Sequence, residues 1–284
     1  MPRYFIHMAY DGTGYHGWQV QPNGKTVQGV MEEALSTLLK ESISITGAGR
    51  TDTRVHASYF IAHFDTTSSE ETTLQNETGP QEKNLSPDLQ NEGIAPNQEK
   101  VRTLPDPDDE AFLFRLNRFL PRDIVVYNIR RVSEEMHARF SATYRTYHYH
   151  ISTVKPLFTR NYSHHLFGSL DLKEIGKCCR IILEATDFTS FSKLHTDVKT
   201  NNCNVMVATW KEVENGYLFE IKADRFLRNM VRALVGTLLD VGQGKLNSDD
   251  FNSIMEARDR SKAGQSAPPQ ALFLVDIGYE APSF

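Results

Sequence analysis

No apolar period survives across residues 66–106, where Thr, Ser, Asn, Gln, Glu and Pro dominate. A stretch of this composition cannot bury enough apolar surface to offset the entropy of ordering it. The core must therefore be assembled from the two flanks, and residues 66–106 are expected to be a disordered insertion in a fold that closes without them. Residues 66–110 hold eleven carboxylates against three cations, a balance of −8, whereas the whole chain of 284 residues carries −5; everything outside that stretch is thus +3. The acidity belongs to the insertion and the folded body is mildly basic, which keeps nucleic acid open as a partner.

On both flanks strand and helix periods alternate. Residues 3–9, 42–46, 58–65 and 124–132 read as strands of a first half. Residues 26–40 place Val27, Val30, Met31, Ala34, Leu35, Leu38 and Leu39 on one helical face. A second helix is expected over 108–120, with acidic residues in its first turn and Pro121 as its stop. The second half alternates in the same way, with a strand over 144–152, a helix over 171–183 opened by an Asp171/Glu174 capping box, and a hairpin of 203–213 with 217–223 around Asn215-Gly216. Helices over 226–241 and 249–257 and a last strand over 271–279 complete it. The pattern divides the chain into an N-terminal half, 1–134, and a C-terminal half, 135–284. Two such α/β halves usually meet at a cleft.

Several classes of protein are disfavoured at this point. No apolar run approaches the roughly 20 residues of a membrane span, and the first ten residues lack the layout of a secretory signal; a cytoplasmic protein without membrane association is expected. Cys178, Cys179 and Cys203 form no CxxC pair and suit neither a disulfide framework nor a structural zinc site. They are expected to be reduced and mostly buried. His148 and His150 share a strand face with no ligand spacing around them, which fits strand-surface histidines better than a metal site.

One short segment does look built for chemistry. GRTDTRVHA, residues 49–57, sets Asp52 between Arg50 and Arg54 in a tight, polar connection between two strand patterns, the kind of place where function concentrates. A lone carboxylate flanked by arginines could be a nucleophile or a base, and its neighbours do not say which.

GRTDTRVHA together with YDGTGYHGWQ (10–19), TVQG (26–29), ARFSATYRTYHY (138–149) and FLRNMVRALVG (226–236) resembles the TruA family of tRNA pseudouridine synthases. The resemblance spans residues 4–279, broken only by the insertion. It implies an α+β fold, the pseudouridine synthase fold, with two similar α/β halves and mainly antiparallel sheets meeting at a basic central cleft. The implied activity is isomerisation of uridine to pseudouridine in the anticodon arm of tRNA, at positions 38 to 40, by a homodimer without cofactor or metal. It assigns catalysis to Asp52, with Arg232 as the arginine that pairs with it and Tyr147 as the active-site ring. Asp52 would either attack ribose C1′ or remove a ribose proton. Turning a base out of a stem costs a few kcal/mol, which cations on the flanking phosphates must offset. Arg50, Arg54, Arg139, Arg145 and Arg228 are the candidates for those contacts.

The remaining expectations are structural. Tyr149 belongs in the core; Phe188 and Phe191 are expected to be buried, and His56 to be structural. Residues 267–272, Ala-Pro-Pro-Gln-Ala-Leu, lack a glycine that the family usually carries there. If that glycine serves a left-handed turn, this wall of the cleft is built differently. A pseudouridine synthase with a shifted RNA target stays open as an alternative; a non-catalytic tRNA-binding or chaperone protein on the same fold is disfavoured by intact Asp52, Tyr147 and Arg232, and a glycosidase by the lack of a convincing second carboxylate.

Overall fold

The computed structural model describes residues 1–67, 106–193 and 200–280, so most of the acidic insertion lies outside the described residues. In chain order the first half carries β1 (Arg3–Tyr10), α1 (Val27–Leu39), β2 (Ile45–Gly47), β3 (His56–Asp65), α2 (Glu110–Phe119) and β4 (Ile124–Val132). The second carries β5 (Ala142–Ser152), β6 (His164–His165), α3 (Leu172–Glu184), β7 (Val205–Val213), β8 (Gly216–Ala223), α4 (Met230–Gly242), α5 (Ser248–Ala257) and β9 (Leu272–Tyr279).

All the strands join one mixed, mainly antiparallel sheet of order β4-β1-β3-β9-β5-β8-β7, with β2 on β3 and β6 on β5. The C-terminal strand is the seam. β9 runs parallel to β3, with Ala57 opposite Leu274, and antiparallel to β5, with Leu274 opposite Tyr147. Ala57, Leu274 and Tyr147 thus form one row across three strands, or about 10 Å at the usual strand spacing. The loop entering β3 and the middle of β5 become neighbours although they are some ninety residues apart in sequence.

Alternation along the strands supplies the core. Tyr4, Ile6 and Met8 of β1 and Phe60 and Phe64 of β3 point the same way and are all buried. Trp18 lies on Phe60 with ring centroids 4.1 Å apart, and Gln28 at the start of α1 donates its backbone N–H to the Trp18 carbonyl at 3.0 Å. The Gln28 side chain also accepts from Val20 N and donates to Ile45 O, so the TVQG motif rivets α1 to β2. At the sheet edge, Asn117 of α2 pairs its amide with both backbone groups of Val126 in β4, at 2.7 and 2.8 Å. Edge groups that would otherwise be open to another strand are thereby covered.

Three local expectations shift. The helix expected from residue 226 begins at Met230, because Asn229 takes φ +66 and interrupts any earlier helical turn. The first-half strand expected over 42–46 forms only as the short Ile45–Gly47. Asp171 caps α3 as expected, accepting from Lys173 N and Glu174 N, but Glu174 does not return the bond. Its carboxylate instead accepts from Ser248 N at 2.8 Å, tying α3 to the start of α5.

Candidate active site

Asp52 sits in a tight turn whose shape comes from the backbone around it. Val55 N donates to the Asp52 carbonyl at 3.1 Å, and Arg54 adopts φ +66, a left-handed conformation that a non-glycine residue takes only under constraint. The YDGTGYHGWQ segment is the bed for this turn. Trp18 N donates to Thr51 O, Arg54 N donates to Tyr15 O, and the hydroxyls of Tyr10 and Thr51 lie 2.9 Å apart. Two glycines let the chains come this close: a Cβ on Gly12 would sit 2.0 Å from Val55 O, and one on Gly17, at φ +87, would sit 2.4 Å from Thr51 O. Two backbone hydrogen bonds, one hydroxyl contact and two close glycine approaches thus tie that motif to residues 51–55.

Arg232 enters from the other half, in the first turn of α4. Its Nη1 donates to Asp52 Oδ2 at 3.2 Å and its Nε donates to Ala267 O at 2.8 Å. Ala267 N in turn donates to Arg232 O, so the arginine is held on both sides before it reaches the carboxylate. Tyr149 is buried, as expected, and its hydroxyl donates to Pro268 O, bracing the same stretch. The glycine absent from 267–272 is not needed here: Pro268 has φ −55 and Leu272 φ −97, and no positive φ falls in the stretch.

Tyr147 is 9% exposed and packs edge-to-face on Phe226, with centroids 5.1 Å apart. Burial pushes its phenol up to about 12, with Arg145 opposing the shift and the nearby Asp52 adding to it. It is therefore a neutral hydrogen-bonding group across the physiological range. The three residues assigned to catalysis, drawn from three separate segments, converge.

The five candidate RNA-contact arginines fare differently. Arg50 is exposed and donates from Nε to Gln19 Oε1 at 3.1 Å; Arg54, Arg139 and Arg228 are also exposed. Arg145 does not fit a free phosphate-binding role. Its guanidinium is spent on four carbonyls, those of Ala142, Asp224, Ala48 and Arg139. Nothing in the sequence separates Arg225 from an ordinary solvated arginine, yet it directly follows Asp224, whose carbonyl Arg145 holds.

Phe188, Phe191 and His56 are buried, as expected. His56 accepts from Gly12 N at Nδ1 and donates from Nε2 toward Asn161 O and Gln270 O; burial depresses its pKa. The three cysteines are free and buried, and burial raises each thiol to about 12. Among the described residues no group of three or more His, Cys, Asp or Glu is placed to hold a metal ion, and no helix is long and apolar enough to cross a membrane.

A carboxylate fixed by an arginine beside a neutral buried phenol can serve nucleophilic or acid–base chemistry. The fold is α+β, and Asp52, Arg232 and Tyr147 meet where β9 joins β3 to β5. A family model described as tRNA pseudouridine synthase matches residues 6–91 and 185–280. The chain is 47% identical to tRNA pseudouridine synthase A of Bacteroides thetaiotaomicron, over 98% of this chain and 91% of that one. Against the enzyme of the same name from Porphyromonas gingivalis it is 42% identical over the full length of both, and against that from Caldicellulosiruptor bescii 36% over 98% and 100%. The chain belongs to the tRNA pseudouridine synthase family, which is a family of isomerases.

Proposed function

We propose that the protein isomerises uridine to pseudouridine in the anticodon arm of tRNA, at positions 38 to 40, with Asp52 as the catalytic carboxylate. The observation that carries the reading is the Arg232–Asp52 pair, 3.2 Å across two segments 180 residues apart, beside the buried Tyr147. The reaction breaks the bond from ribose C1′ to uracil N1, turns the base and joins C1′ to C5, with the C5 proton leaving last. Asp52 either bonds to C1′ and is displaced by C5, or takes the C2′ proton and returns it; both routes balance without a second substrate. Arg232 orients the carboxylate, and the Tyr147 ring and hydroxyl face the base, positioned for stacking and for the proton at C5. A homodimer belongs to the same reading: Phe158 and Phe167, 89% and 83% exposed, offer apolar surface a second copy would cover. Sedimentation of the purified chain tests that part.

The activity is tested by incubating purified protein with unmodified tRNA and mapping pseudouridine by carbodiimide treatment and reverse transcription. New stops are expected at positions 38 to 40. Their absence, or stops confined to another arm, rejects the assignment.

A further inference from the structure

Four carbonyl oxygens converge on the Arg145 guanidinium, and they come from three stretches of chain. Ala48 O lies 2.9 Å from Nη2, Asp224 O 2.9 Å and Ala142 O 3.0 Å from Nη1, and Arg139 O 2.6 Å from Nη2. A guanidinium is only a few ångströms across, so the stretch leading into the Asp52 turn, the stretch before β5 and the exit of β8 are brought together at one point. Each carries an arginine within two residues of its anchored carbonyl: Arg50 two residues after Ala48, Arg139 itself, and Arg225 directly after Asp224.

None of these three arginines forms an ion pair with a carboxylate among the described residues. Asp224, next to Arg225, turns its Oδ1 to backbone, accepting from Asn204 N at 2.8 Å and from Arg225 N at 2.7 Å, and Asp52, two residues from Arg50, pairs with Arg232. The arginines also sense one another: partial desolvation, together with the charges of Arg50 and Arg225, depresses the largely exposed Arg139. Gathering like charges with no carboxylate paired to them opposes folding, and a bound anion would offset it. The same segments lead to Asp52 and, two residues beyond Arg145, to Tyr147, so an anion held here lies beside the reacting nucleotide.

We propose that Arg50, Arg139 and Arg225 form one site for an RNA phosphodiester, and that Arg145 is the positioning residue that assembles it. The inference rests on the RNA-isomerase reading above and extends it to Arg225 and to a different task for Arg145. Arg145 contributes no donor to the phosphate; it fixes the backbone from which the other three reach.

The test is equilibrium binding of an anticodon-arm RNA to the full chain carrying Asp52→Asn, so that turnover does not interfere, between 50 and 200 mM salt. Loss of one phosphate contact lowers the slope of log affinity against log salt by about 1. Arg225→Ala and Arg139→Ala should each show that loss, with roughly threefold less affinity forfeited across the salt range than in the parent. Arg131→Ala, an exposed arginine on the edge strand β4, should keep the parent slope. Arg145→Lys, which cannot span four carbonyls, should lower the slope although both Arg145 Nη groups already donate to protein carbonyls, and combining it with Arg225→Ala should lower it no further. Parent-like slopes for Arg139→Ala and Arg225→Ala overturn the proposal, and these two substitutions decide it even if Arg145→Lys folds poorly. A normal set of slopes with no pseudouridine formed by the wild type would reject the isomerase reading while leaving the phosphate site standing.

Discussion

Gly17→Ala separates the shape of the Asp52 turn from the presence of its residues. Gly17 has φ +87, and a Cβ there would lie 2.4 Å from Thr51 O, 3.1 Å from the Asp52 carbonyl carbon and 3.3 Å from Thr53 N. Reaching even a tight contact of 3.0 Å needs a movement of about 0.6 Å, and an ordinary one about 1 Å. The methyl meets only backbone, so no side chain can swing aside. The left-handed conformation adds roughly 1–2 kcal/mol for an L residue. A total near 2 kcal/mol should lower Tm by on the order of 5 °C for a domain of this size. Catalysis should suffer more, because a displacement of about 1 Å at a reacting group costs about a hundredfold, and Asp52 is already 3.2 Å from Arg232. Gly14→Ala is the matched control: it lies in the same motif, at a normal φ, and its nearest contact would be Asp123 Oδ2 at 4.0 Å. Single-turnover rates on tRNA, with thermal melts of all three proteins, make the comparison. A Gly17→Ala rate within threefold of the parent, or equal damage from Gly14→Ala, would refute the claim that this motif is the bed of the catalytic turn.

Asp52→Asn should abolish turnover yet change RNA affinity little, since phosphate contacts dominate binding; activity within tenfold of the parent would remove Asp52 from the mechanism. Arg232→Gln should slow the reaction by roughly 10- to 100-fold through loss of carboxylate orientation, and a parent-like rate measured in the same assay would make the pair structural only. Arg54→Gly relieves a left-handed non-glycine residue at φ +66; a penalty of about 1–2 kcal/mol removed, against about 0.5–1 for glycine's own entropy, leaves Tm unchanged or slightly higher, and a fall of several degrees would contradict this. His63 is buried and accepts from Ala138 N, and burial, with help from Arg3 and His137 and against Asp65, holds it down to about 4. Below pH 6.5 the unfolded chain takes a proton that the folded one refuses, so this contribution is complete above pH 6.5 and is lost as pH falls through about 4, at up to about 1.4 kcal/mol per pH unit. His63→Asn, which keeps an acceptor for Ala138 N, should flatten the fall of Tm over that window; parallel Tm profiles for the two proteins would count against it.

What the sequence made legible and what it hid have different physical origins at this site. Asp52 stood out because glycine, arginine and threonine around it exclude a core role, and Arg232 and Tyr147 because their motifs resemble a family's. The element pattern was readable wherever side-chain period decides conformation, as in β1 and α1. It failed at residues 226–229, where one residue at positive φ delays a helix that the apolar period would have started earlier. It also could not show that β9 fuses the two halves into one sheet, since strand pairing is set by long-range register, which local pattern does not encode. The arginines show the deepest limit. Arg145 and Arg225 are the same residue type in comparably polar surroundings, yet the fold turns four carbonyls onto the first and leaves the second without a carboxylate partner among the described residues. A guanidinium's task depends on which acceptors the backbone presents to it. Those acceptors come from stretches as far apart as Ala48 and Asp224, so only the folded chain distinguishes an arginine that assembles a site from one positioned to use it.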